Sequence, residues 1–228
     1  MKKITIMLLV LVLGISSAFA QIEKMTHFEI DTMVGAHQYS SSFFHAINSI
    51  TWYNNPDASI PNFSGFGTSL MPSFNVKYFF SNDIGIFISY SPVIAENSLY
   101  VEDIGNYYNK VEQNNISIGV IGKIISTETP LSMNFGTGFI VAPFEINKHF
   151  DSDLGGFYLD GTSTGAGFYG LASFQIRILS FLQFKSELNY SFIPTNINLT
   201  DSDQDVVENI ENLNIGGFII KTGLSFNF

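Results

Sequence analysis

Apolar and polar residues alternate with a period of two along most of this chain, as expected of β-strands with one face in an apolar environment. The segment Leu182 to Phe192 shows it most clearly. Leu182, Phe184, Ser186, Leu188, Tyr190 and Phe192 share one face, and Gln183, Lys185, Glu187, Asn189 and Ser191 share the other. The C-terminal segment repeats the pattern, with Phe218, Ile220, Thr222, Leu224, Phe226 and Phe228 against Ile219, Lys221, Gly223, Ser225 and Asn227. Six further segments alternate in the same way, around Phe28–Val34, Phe74–Phe80, Ile84–Tyr90, Ile116–Ile124, Leu131–Val141 and Ala166–Ile176. Eight strands are predicted.

The connections alternate in length. Ser81-Asn82-Asp83, Ser126 to Pro130 and the residues around Leu179-Ser180 are short, whereas residues 38–67, 92–114, 144–164 and 193–213 read as long polar loops. Short turns at one end and long loops at the other are the form of an up-and-down transmembrane barrel. Volume decides which face is outside. An eight-stranded barrel has a lumen only wide enough for side chains, so about forty large apolar residues must point outward, into lipid. Closure follows, because hydrocarbon offers no partner to an unpaired strand edge. The prediction is an all-β, eight-stranded antiparallel transmembrane barrel with periplasmic turns and extracellular loops. The segment 43–53 is open to reading as an additional strand.

The N-terminus and the composition add context. Lys2 and Lys3, the apolar run Ile4 to Leu13 and Ala18-Phe19-Ala20 read as a cleaved export signal over residues 1–20, leaving 21–228 as the barrel domain. The run is too short for a spanning helix. With no cysteine there is neither a disulfide nor a site for lipid attachment. Charged residues make up only 13% of the chain, against 23 Phe and 10 Tyr, which suits a surface that does not face water.

With these features in place, the sequence resembles the small bacterial outer-membrane β-barrels of the OmpX and OmpA-barrel type, and more loosely the PorT-like outer-membrane barrels. The resemblance covers the whole mature chain as an architecture, and its most specific piece is the final strand, with Leu224, Phe226 and Phe228. In that family such a strand is the signal read by the barrel-assembly machinery. The resemblance implies residence in the bacterial outer membrane among lipid and lipopolysaccharide, without the peptidoglycan-binding domain that follows the barrel in OmpA-type proteins.

Five basic residues, Lys77, Lys123, Arg177, Lys185 and Lys221, fall on inward positions with Glu29, Asp31 and Glu187. Buried charges are costly unless paired, so a salt-bridged plug is expected, with a narrow anion-preferring path as its alternative. The long loops hold most of the acidic residues. Asp201, Asp203 and Asp205 open like a calcium loop, but Val206 stands where that loop needs Gly and Asn212 where it needs Glu, so the metal reading is weak. Loop aromatics Phe43, Phe44, Trp52, Tyr53, Tyr100, Tyr107, Tyr108, Phe157 and Tyr158 either anchor a partner or pack the loops together.

For catalysis the rim offers His37, His45 and His149 near Ser40 to Ser42 and Asp151, and no His-Glu-x-x-His motif supports them. The expectation is a non-enzymatic protein without cofactor or nucleic-acid partner, presenting acidic, aromatic-bearing loops for interaction, adhesion or envelope integrity. An accessory role in an outer-membrane secretion or transport complex, a narrow pore and a rim-sited enzyme are the alternatives.

Overall fold

The structure, a computed structural model, describes residues 27–40, 43, 69–81, 83–101, 105–125, 130–151, 156–201, 203 and 205–228. The export signal, the segment 44–53 and the side chains of Phe44, His45, Trp52 and Tyr53 lie outside the described residues. Ten strands follow in order: β1 (His27–Tyr39), β2 (Ser69–Phe79), β3 (Ile84–Val101), β4 (Gly105–Ile125), β5 (Leu131–Asp151), β6 (Phe157–Leu179), β7 (Leu182–Phe192), β8 (Pro194–Thr200), β9 (Val206–Asn214) and β10 (Gly217–Asn227).

Eight of these close into a barrel. Each neighbour from β1 to β7 pairs antiparallel with the next, β7 pairs with β10, and β10 pairs with β1 from Glu29 opposite Asn227 to Tyr39 opposite Gly217. Two extra strands arise because β7 continues as β8 beyond Ile193, and β9 continues as β10 beyond Ile215 and Gly216. The break is stitched locally. Ile215 N donates to Ile193 O at 3.1 Å, while Asn214 Oδ1 accepts from Ile193 N at 2.9 Å and from Gly216 N at 3.1 Å.

The turn end of the barrel is tight. Between β2 and β3 the Ser81 hydroxyl accepts from Ile84 N at 3.0 Å, which reverses the chain with few residues. The other end departs from expectation. Strands β3 to β6 run for 18, 21, 21 and 23 residues, so most of 92–114 and 144–164, and much of 193–213, is strand rather than loop.

The cause is a reversal of polarity along each strand. On β5 the outward positions Met133, Phe135, Phe139 and Val141 are exposed, and then give way to Pro143, Glu145 and His149. On β4 the outward set Ile124, Val120, Ile118 and Ile116 gives way to Asn114, Glu112, Lys110 and Tyr108. The inward set changes the opposite way, from Asn134 on β5 to Ile140, Phe144 and Ile146. Alternation therefore continues, but with its apolar face turned from lipid to the interior. The lower part is built for a membrane and the upper part like a water-soluble sheet.

Candidate functional site

The lumen holds two fillings. The lower one is a chain of charges alternating in sign, Lys123, Glu29, Lys77, Asp31, Lys185, Glu187 and Lys221, contributed by β4, β1, β2, β7 and β10. Lys77 Nζ lies 3.0 Å from Glu29 and 2.9 Å from Asp31, and Lys185 lies 2.7 Å from Asp31. Lys123 bonds Glu29, Lys185 bonds Glu187, and Lys221 closes the chain 3.6 Å from Glu187. All seven side chains are buried. Uncharged groups complete the shell: Asn75 Nδ2 donates to Asp31 at 3.2 Å, Gln175 Nε2 to Glu29 at 3.3 Å, and Lys221 Nζ to Ser91 Oγ at 3.1 Å.

The period of two places these groups together. Glu29 and Asp31 are successive inward positions of β1, and the register sets Glu29 opposite Lys77 on β2 and Glu187 opposite Lys221 across β7 and β10. A glycine makes room for the longest reach: a Cβ at Gly35 would lie 2.8 Å from Lys221 Cγ.

Arg177 is the one expected interior charge that is not buried. It pairs with Gln183, in phase with the inward positions Gln175 and Lys185, but lies at the turn end of β6, where it is exposed just before the register shifts.

The upper filling is apolar. Val93, Val111, Ile140, Phe144, Ile146, Leu159, Ile193, Ile197, Leu199, Leu213 and Ile215 form one buried cluster with Tyr39 and Phe43. Phe43 is stacked on Tyr39 at 4.4 Å and set edge-on to Phe144 at 5.8 Å, so it packs inward rather than offering itself to a partner. A short turn fixes it, with Phe43 N donating to Ser40 O at 3.1 Å and Ser40 Oγ donating to Asn214 O at 2.6 Å. Tyr107 is buried as well, 4.6 Å from the Phe150 ring.

Outside this core the sheet presents a polar wall. In register across β3 to β6, Glu96, Lys110, Asn147 and Asp160 form one row, and Tyr108, His149 and Tyr158 form the next. Lys110 pairs with Glu112 at 2.6 Å, and that bond holds the Lys110 ammonium above its ordinary pKa. Burial raises the Asp160 carboxyl above the usual aspartate value; the nearby Glu145 adds to this and the hydrogen bond with Tyr158 opposes it.

The remaining candidates are placed individually. Tyr100 and Phe157 lie on the upper reaches of β3 and β6. Asp201 Oδ1 accepts from Asp203 N and Asp205 N, both at 3.0 Å, so its carboxylate closes the β8–β9 hairpin. Among the described residues no group of carboxylates or histidines is arranged to hold a metal. His37 is buried and faces inward, His149 is exposed on the outer wall, and the Ser40 hydroxyl bonds a backbone carbonyl. Leu224, Phe226 and Phe228 lie on the closing strand, and Phe228 exchanges backbone bonds with Phe28 at 2.9 and 3.1 Å.

One catalytic spacing was not among the candidates. Gly161-Thr162-Ser163-Thr164-Gly165 has the Gly-x-Ser-x-Gly form, but it lies within β6 rather than on a strand-to-helix elbow. Ser163 Oγ is 2.6 Å from Thr195 Oγ1 and 2.6 Å from Asn196 O. Its glycines serve packing: a Cβ on Gly165 would lie 2.6 Å from Ile193, and one on Gly161 would lie 2.7 Å from Leu199.

No protein-family profile matches the chain, and no curated protein matches it in sequence. Solved structures do match. The outer membrane protein OprG of Pseudomonas aeruginosa aligns with a TM-score of 0.58 over 90% of this chain and 97% of that one, at 11% identity. It has the fold of the small outer-membrane β-barrels. A major outer membrane protein of Thermus thermophilus gives 0.56 over 90% of this chain and all of that one, at 10% identity. Neisserial surface protein A gives 0.51 over 89% and 97%, at 12% identity. Barrel and membrane belt together make this an outer-membrane barrel.

Proposed function

We propose that this outer-membrane barrel is a non-conducting, non-enzymatic anchor that holds a rigid β-wall above the bilayer for contact with partners or for envelope integrity. The doubly filled lumen carries the reading. Seven linked charges occupy its lower part and a close-packed apolar cluster its upper part, which supports a plug over a pore. The wall supports the presenting role, since its acidic and aromatic side chains stand on paired strands rather than on mobile loops. Lipopolysaccharide at the wall's outer face, and the assembly machinery at the Phe228 strand, are the partners this reading implies.

Photo-crosslinking from intact cells, with a photoreactive residue at Tyr158 or Glu145, tests the anchor. Adducts with lipopolysaccharide or with one surface protein are expected. Adducts confined to subunits of an envelope secretion machine would replace this reading with an accessory role in that machine.

A further inference from the structure

We infer that a groove on the lipid-facing side, floored by Ala172 and Ser186, seats a single acyl chain of a bilayer lipid. One outward row of the belt is an unbroken ridge of large side chains. Val76, Ile88, Ile118, Phe139, Phe168 and Phe192 lie opposite one another across six strands. Two neighbouring rows carry small side chains on β6, β7 and β10. One runs Phe135, Ala172, Leu188, Ile220 and the other Met133, Phe174, Ser186, Thr222. Small side chains at Ala172 and Ser186 leave a depression of about 370 Å³ between Met133, Phe135, Phe174, Leu188 and Ile220. That volume is within the range of small-molecule sites, roughly 300–1,000 Å³. On the same face of β6, Gly170 has open space where a Cβ would stand, with nothing within 4 Å, whereas most glycines of the barrel are tightly enclosed.

The occupant follows from position and shape. The groove is continuous with the exposed Phe135, Leu188 and Ile220 of the lipid belt, so hydrocarbon is what it meets. Left empty, its walls would forgo dispersion contacts on one side. A second barrel is convex and would rest on the Phe135 and Phe174 ridges without reaching the floor, whereas one methylene chain fits between them. The site is thus expected to hold one chain of the lipid annulus in a fixed place.

The test uses the full mature chain folded into phosphatidylglycerol vesicles that carry a trace of phosphatidylglycerol with a diazirine on one acyl chain. After irradiation, mass spectrometry should find adducts at Met133, Phe135, Ala172 and Phe174 several-fold above those at Ile88 and Ile118. Ala172→Phe, or the smaller Ala172→Val if the first does not fold, should abolish that excess while heat-modifiable gel migration shows an intact barrel. Uniform adducts around the belt would overturn the site, as would an excess that survives in the folded variant. Efficient disulfide dimers of Ala172→Cys would assign the face to a second copy instead.

Discussion

At Lys185 one ammonium group joins two carboxylates, Asp31 and Glu187, whose other lysine contacts are Lys77 and Lys221. Truncating Lys185 takes one ammonium contact from each of two buried carboxylates, and breaking a buried ion pair costs about 3–5 kcal/mol. Lys185→Ala should therefore lower the urea midpoint of the folded barrel by a shift on that scale, while Arg177→Ala at the exposed turn end of β6 should stay within about 0.5 kcal/mol. Equal losses would mean that Arg177 shares the interior after all. On the wall, Asp160 gives a titration with a defined sign. Its raised pKa favours the protonated form in the fold, so its contribution to stability is full at acid pH and falls as pH rises through the folded value. Tyr158→Phe removes the hydrogen bond that opposes the shift and should move Asp160 further up, as read by NMR titration of its carboxyl carbon.

A strand of this barrel has two environments, and substitutions along β6 should report the boundary. Phe168 is outward in the belt, where Arg at mid-bilayer costs about 2–4 kcal/mol. Thr164, two outward positions further toward the wall, is exposed to water, and Thr164→Arg should be close to neutral. Folding yield into vesicles and urea midpoints would separate the two; a costly Thr164→Arg would place the membrane edge higher than the polarity reversal does. Inside the upper sheet the order changes, because packing dominates there. Ile197 is buried beside Gly161, and Ile197→Ala should cost about 2–5 kcal/mol by leaving a cavity. Adding bulk at Gly165 should also destabilise, through its contacts with Ile193 and Ile215.

For the molecule as a whole, the two fillings should act in series. A charge chain that links β1, β2, β4, β7 and β10 across the lumen leaves little room for a continuous water column, and the cluster above it is buried and apolar. Planar bilayers containing purified protein should show no steady large conductance, and Phe43→Ala alone should not open one, since the charge chain lies below it. A stable porin-like current from the intact protein would shift the function to passive transport.

The lower barrel is legible in the sequence because lipid forces a simple rule on it. Every second residue must be apolar over a membrane's thickness, so Leu182 to Phe192 and Phe218 to Phe228 declare their faces without reference to any neighbour. Glu29, Asp31, Lys77, Lys123, Lys185, Glu187 and Lys221 are assigned inward by the same alternation, and the structure places them all in the lumen. Arg177 keeps the same phase, opposite Gln183, and is exposed because it lies at the turn end of β6. The extent of β3 to β6 above the membrane is hidden for a different reason. There both faces carry mixed residues, and segments such as Val93–Ala95 and Ile140–Ile146 look like loop until the apolar side is known to face a partner strand. Which lysine meets which carboxylate, and that Phe43 turns in to meet Phe144, are decided only when closure brings distant strands across one lumen. Solvent on one face acts on each strand separately and leaves its mark in the sequence, whereas contacts across the interior depend on register and shear and come from the closed barrel alone.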